Sequence, residues 1–188
     1  MKPTRKEEII QVAASLFKEK GYSAVSMRDI AQAMDIKAAS LYNHIAGKQE
    51  ILSTLILEVA YEFTAAMNNV ATESLTPLEK LENIINFHID ITINYAENIA
   101  ALNNDWMHLE GDDRQRVVRM REAYEDNFRK IIKEGIEKGD FNAKHPEVIL
   151  FSILSTLRTL YLWNEKRGKL DVNILKKDMV NTLIHGIV

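Results

Sequence analysis

The chain has 188 residues, 46% of them hydrophobic and 27% charged, which is enough apolar mass for one or two folded domains and too much for a disordered chain. Only 3 Pro, 7 Gly and no Cys exclude a collagen-like repeat, a disulfide scaffold, thiolate zinc sites and a cysteine nucleophile, and fit a reducing, cytoplasmic setting. The net charge of −3 argues by itself against a nucleic-acid partner, yet residues 1–50 carry a balance of +2 and the remainder one of −5, so a weakly basic head precedes an acidic body.

Apolar residues recur at three and four rather than at two almost from end to end, which predicts an all-α protein of about nine helices. The start, MKPTRKEEII, turns acidic where a secretory signal would turn apolar, so no signal is expected. A first helix is predicted over Arg5 to Lys20, with Ile9, Val12, Ala13, Leu16 and Phe17 on one face and Gly21 as its stop. Ser26 and Asp29 have the form of a capping box that opens a helix of about two turns, with Ile30, Ala31 and Met34 inward. Asp35-Ile36-Lys37 interrupts the pattern, and Ala38 to His44 resumes it with Leu41 and Ile45 inward. Two short helices joined by three residues, with small Ala31 where they must approach, form a helix-turn-helix pattern.

Longer helices follow. One is expected from Lys48 to about Val70, and Thr76-Pro77-Leu78-Glu79 opens the next, which should run to about Glu97. A shorter one over Ile99 to Leu109 should break at Gly111, before a long helix from Asp112 to Lys138 that Gly139-Asp140 ends. His145-Pro146 should begin a helix to Asn164, Arg167-Gly168 should turn, and Asp171 should cap a final helix to the C-terminus. The expected domains are residues 1–47, which would bind DNA, and residues 48–188, which would bind a ligand and dimerise. The longest apolar stretch, Val148 to Trp163, would reach only about 24 Å as a helix against a bilayer core of about 30 Å, so no membrane partner is expected.

The helix after the turn presents Lys37, Ala38, Ala39, Ser40 and Asn43 outward, with Tyr42, His44 and Lys48 around them. Small and polar, such a face fits a major groove, and it equally fits the solvated side of a small three-helix bundle. The run AASLFKEKGYSAVSMRDIAQAMDIKAASLYNHIAGKQEIL, from Ala13 to Leu52, resembles the DNA-binding domain of TetR-family transcriptional regulators, with its AA-x-LF-x-E-x-GY opening and LY-x-H ending. The resemblance implies a partner, a palindromic double-stranded DNA operator, contacted by Arg28, Lys37, Ala38, Ser40, Tyr42, Asn43, His44 and Lys48. Asp35 departs from the family's glycine, Lys37 from its capping serine, Ala38 from a basic or proline residue and Ile45 from its phenylalanine.

In the body, Val148 to Trp163 is apolar around nearly its whole circumference, so one face should serve the core and another a partner. With the last helix this predicts a homodimer interface of Phe151, Leu154, Leu157, Tyr161, Met179, Leu183 and Ile187. Phe63, Met67, His88, Thr92, Tyr95, Trp106, Tyr124 and Phe128 recur at helical spacing on four helices and are candidates for the wall of a ligand cavity; the same stripe also reads as plain core. The stretches YEDNFRKIIKEGIEKGDF and LSTLRTLYLWNEKRGKL resemble, more loosely, TetR-like regulators of fatty-acid and sterol catabolism, which implies a small hydrophobic effector of the acyl-CoA class. The five histidines make no H-x-x-x-H spacing, and no phosphate-cradling glycine loop or nucleophile elbow is present, so no metal, cofactor or enzyme activity is expected. The expectation is a ligand-responsive DNA-binding repressor; the alternative is a helical protein–protein interaction module that does not bind DNA.

Overall fold

The computed structural model describes residues 3–142, 144–164 and 170–185. Among them are nine α-helices, two single 3-10 turns and no strand. In chain order the helices are α1 (Arg5–Lys20), α2 (Met27–Ala33), α3 (Ala38–Leu41), α4 (Lys48–Thr72), α5 (Pro77–Asn94), α6 (Ala96–Asn104), α7 (Gly111–Lys138), α8 (Pro146–Asn164) and α9 (Val172–Ile184).

Local side-chain chemistry sets the helix starts. Thr4, Ser26 and Thr76 each accept from the backbone N–H three residues on, and Glu7, Asp29 and Glu79 return the bond to the capping residue's own N–H. Pro77 adds a pre-set first residue to α5, and Asp171 caps α9 through the N–H groups of Asn173 and Ile174. Differences from the sequence expectation lie at helix ends. The helix expected from Ala38 to His44 is α-helical only to Leu41, after which His44 N–H and Ile45 N–H both turn back to the Leu41 carbonyl. Tyr95 leaves the helical region (φ −131°, ψ 37°), so α5 stops at Asn94 and α6 begins at Ala96, a one-residue joint about three residues before the break expected between Glu97 and Ile99. The helix expected over Ile99 to Leu109 ends at Asn104, followed by a 3-10 turn at Trp106–His108. The turn expected at Arg167-Gly168 lies outside the described residues.

The chain forms two compact units. The first takes the chain up to Ala60 together with Glu97–Val118; its core joins Ile9, Phe17, Ile30, Leu41, Ile45, Leu52 and Ile56 to Ala101, Leu109 and Val117. The second takes Tyr61–Ala96 and the chain from Arg119 onward, around Met67, Ile84, Ile85, Ile89, Phe128, Ile132, Leu154 and Leu157. In it the last turns of α7 depend on one close approach. Gly135 leaves room for the buried Phe141 ring, while its carbonyl takes the N–H groups of both Asp140 and Phe141 as the helix ends. A Cβ at position 135 would run into that ring. Gly135→Ala is therefore expected to lower the melting temperature by about 2–6 °C, because an overpacking cost of about 1–3 kcal/mol exceeds the gain of up to about 1 kcal/mol in helix propensity. Adding Phe141→Leu should recover part of the loss in the same thermal melt, and an unchanged or raised melting temperature in Gly135→Ala alone would refute the close approach.

Candidate nucleic-acid interface and effector cluster

In the first unit, α2 ends in a turn that its backbone defines completely. Asp35 N–H bonds the Gln32 carbonyl at 3.1 Å and Ile36 N–H bonds the Ala31 carbonyl at 3.0 Å, a Schellman closure whose left-handed residue is Asp35 at φ 53°. Aspartate tolerates this backbone, though glycine would adopt it without strain. The turn leads into α3 with Leu41 and Ile45 buried and Lys37, Ala39, Ser40, Tyr42, Asn43 and His44 exposed; Arg28 and Gln32 are exposed on α2.

Behind this face the first turn of α4 holds the connection between α1 and α2. Lys48 Nζ donates to the Tyr22 and Val25 carbonyls, both at 2.8 Å, and sits 4.0 Å above the Tyr22 ring. Burial pulls the Lys48 ammonium below its usual value, and the Asp105 carboxylate opposes that shift. Gln49 Nε2 donates to Tyr22 Oη at 2.9 Å and to the His108 carbonyl at 2.8 Å, and the Tyr22 and His108 rings stack with centroids 5.4 Å apart. Burial pushes the Tyr22 phenol up, reinforced by Glu110 and Asp105. The Asp105 carboxyl is itself raised by burial, against the Tyr22 backbone hydrogen bond, His108 and Lys48. The segment 105–108 is thereby built into the base of the helix-turn-helix.

In the second unit, His88 on α5 and Tyr124 on α7 are buried and hydrogen-bonded, Nε2 to Oη at 2.6 Å. Phe87 stacks on His88 at 5.2 Å, Phe63 lies 4.6 Å from it, and Phe128 meets Tyr124 edge-on at 6.4 Å. Burial pulls the imidazole down to about 3, with the Arg158 charge acting in the same direction, and pushes the Tyr124 phenol well up. Arg158 pairs with Glu125 at 2.6 Å, and burial together with the Arg158 charge lowers the half-buried Arg121. The Arg158 charge thus acts on the neutral aromatic cluster, with Glu125 paired to it and the Arg121 guanidinium within reach of both charges.

Comparison with known proteins places both halves. Residues 9–55 match the bacterial regulatory proteins of the tetR family, and residues 74–187 match the tetracyclin repressor-like C-terminal domain. The chain belongs to the TetR family. It is therefore a DNA-binding transcriptional regulator, and the interaction-module alternative is set aside. It is 24% identical over 186 residues to the helix-turn-helix transcriptional repressor KstR2 of Mycobacterium tuberculosis, covering 98% of this chain and 93% of that protein. The solved KstR2 structure, described as a ketosteroid transcriptional regulator, superposes with a TM-score of 0.91 at 20% identity, over 100% of this chain and 97% of that one. A fatty acid metabolism regulator of Bacillus subtilis is 23% identical over 96% of this chain and 94% of its own length. AibR, solved in complex with isovaleryl coenzyme A and operator DNA, aligns with a TM-score of 0.80 at 24% identity over 96% of this chain and 98% of its own.

Within this TetR-family chain the residues expected at DNA divide. Arg28, Lys37, Ser40, Tyr42, Asn43 and His44 are exposed around α3. Ala38 is half-buried and packs against the core of the unit, whereas Ala39, left out of the expected contact set, faces out; on so short a helix one residue of rotation decides which alanine is which. Two of the three N–H groups of Lys48 are committed to carbonyls within the head, and the ammonium lies over the Tyr22 ring.

Of the residues expected at an effector, Phe63, His88, Tyr124 and Phe128 come together in ring contact. Met67 belongs to the same core, Thr92 is buried further along α5, and Tyr95 is half-buried at the joint. Trp106 is a correction: it packs in the first unit, under the Arg114 guanidinium at 6.0 Å, because residues 97–118 join the head. Phe87 escapes the spacing argument because it adjoins His88 and breaks the three-and-four rule, and Arg121 and Arg158 escape it because that argument takes in only aromatic and weakly polar side chains.

The expected dimer set also needs correction. Leu154, Leu157 and Tyr161 are buried in their own unit, Met179 and Leu183 are half-buried against its core, and Ile187 lies outside the described residues. Phe151 is 71% exposed, and with Val148, Ser155, Thr159 and Leu162 it forms an outward stripe at steps of three, four, four and three. Residues at 154, 157 and 161 point a quarter-turn or more from the midline of that stripe. Among the described residues no helix is long and apolar enough to cross a membrane.

The buried imidazole makes stability pH-dependent. Its folded value lies below the ordinary 6.5, so the unfolded chain takes up a proton first; the destabilisation begins as pH falls through 6.5, grows toward 3 and is absent above 7. Between pH 7 and pH 5 the wild type should lose about 2 kcal/mol that His88→Gln does not, at up to about 1.4 kcal/mol per pH unit. The capping carboxylates Glu7, Asp29 and Glu79 are held low by their bonds from Thr4, Ser26 and Thr76, so their effect comes only below about 4.5, outside this window. Urea unfolding at the two pH values checks this; parallel losses in both proteins would contradict it.

Proposed function

We propose that the chain is a homodimeric cytoplasmic repressor that grips a palindromic operator through two α2–turn–α3 heads and releases it when an acyl-CoA thioester binds the body. The observation that carries the DNA half of this reading is the exposed, polar α3 face on a buried Leu41 and Ile45 anchor, within the stretch that matches the tetR DNA-binding family. No catalytic role is assigned to the chain.

The effector class is supported by what surrounds His88. Phe63, Phe87 and Phe128 suit an acyl chain, each buried methylene of which contributes about 0.8 kcal/mol, and the adjoining Arg121 and Arg158 suit an anionic end. The AibR complex with isovaleryl coenzyme A supports the same class at the level of a structural neighbour. The dimer is assigned to the outward stripe of α8, Val148, Phe151 and Leu162, rather than to its buried leucines.

Two measurements test these assignments. Acyl-CoA of increasing chain length should raise the melting temperature and release bound DNA, with an optimum length, while free fatty acids and aromatic cations leave both unchanged; release by an aromatic cation with a flat acyl-CoA response would move the chain to a drug-binding class. Sedimentation of the wild type at tens of micromolar should give about twice 21.6 kDa, and Phe151→Asp with Leu162→Asp should halve it without lowering helix content. A wild-type monomer would remove the dimer, and a variant that stays dimeric would move its interface elsewhere.

A further inference from the structure

The α3 helix carries an unusual combination for a surface that reads base edges. From Ala38 to His44, α3 and the turn after it hold no Arg, Lys, Gln, Asp or Glu, so this stretch lacks the bidentate donors that read guanine O6 and N7 and the carboxylates that accept from cytosine N4. Its outward residues offer a bare methyl at Ala39 and a hydroxyl at Ser40 on α3, and the exposed amide of Asn43 in the turn that follows. Ala38 is turned into the packing of the head, which leaves Ala39 as the single outward methyl.

A methyl group pressed against a base edge discriminates by what it leaves unpaired. Against the cytosine N4 amine or the guanine oxygen it removes water from a polar group and supplies no partner. Against the C5-methyl of thymine it buries apolar surface on both sides, and the neighbouring amide of Asn43 has the donor and acceptor spacing for adenine N6 and N7. The first residues of a helix in this position are the ones that approach base edges, and Ala39 is the second residue of α3.

We propose that Ala39 is the specificity-determining residue of the head and reads the C5-methyl group of one thymine in each half-site, with Asn43 on an adenine close by. This rests on the DNA-binding reading above, deepening it from DNA in general to a thymine-centred half-site.

The test alters the DNA rather than the protein. A duplex is first selected from a random pool by the purified full chain at about 50 mM salt, where phosphate contacts are strong. Each thymine of the enriched half-site is then replaced in turn by deoxyuridine, which deletes only the methyl. One position per half-site should weaken binding about fourfold, and about fifteenfold when both half-sites are changed, the equivalent of one buried methyl each. Replacing the same T·A pair by 5-methylcytosine paired with guanine should bind better than unmethylated C·G. Ala39→Gly should bind the thymine and uracil duplexes equally, and Ala39→Ser, which keeps the helix better, should also lose most of the ratio. Indifference to uracil at every position, or a thymine-to-uracil ratio that survives Ala39→Gly, overturns the proposal while leaving DNA binding intact. Failure to enrich any duplex overturns the DNA-binding reading itself, and this inference with it.

Discussion

One ammonium group organises the reading head. Lys48 Nζ donates to the Tyr22 carbonyl, which also closes the 3-10 turn with the Val25 N–H, and to the Val25 carbonyl, and it lies over the Tyr22 ring. Those carbonyls belong to the connection between α1 and α2, so the start of α4 fixes the angle at which the helix-turn-helix leaves the first helix. Asp105 supports the charge from inside the unit, and Tyr22, with its phenol pushed up, remains a neutral acceptor for Gln49 at any ordinary pH.

The mid-chain segment follows from the same constraint. Gln49 reaches the His108 carbonyl while its neighbour Lys48 holds Tyr22, and Leu109 and Val117 enter the core beside Leu52 and Ile56. A reading head that includes residues 97–118 is larger than a three-helix domain. The second unit solves a different problem: it buries a histidine and a tyrosine side by side, each satisfied by the other, at a standing cost in acid stability. A group kept neutral and hydrogen-bonded among aromatic rings can meet the polar part of a ligand, which a plain apolar residue could not.

Much of this was legible in the residues. Capping boxes at Ser26 and Thr76 and the glycine stops at Gly21 and Gly139 marked their helix ends, because caps are local interactions that short spacings encode. The resemblance of residues 13–52 gave the family. What spacing could not reveal was anything decided by tertiary packing: which side of α8 is covered, so that Leu154 and Leu157 went to the interface rather than the core; which of two adjacent alanines faces out; and that Trp106 packs in the head. Lys48 shows the same limit, since a basic residue beside a recognition helix reads as a phosphate contact until its carbonyl partners are seen. The close approach of Gly135 and Phe141 had no sequence signal beyond a glycine inside a helical pattern.

The head that holds DNA is one body built from two stretches of chain. Amide hydrogen exchange of the full chain, free and bound to a selected duplex, tests it most directly, because exchange reports the stability of cooperative units residue by residue. Binding should raise protection together in α2, in α3 with its following turn, and in the mid-chain stretch from Ala101 to Val117. Protection confined to residues 26–48, with the mid-chain stretch exchanging as in the free protein, would contradict it.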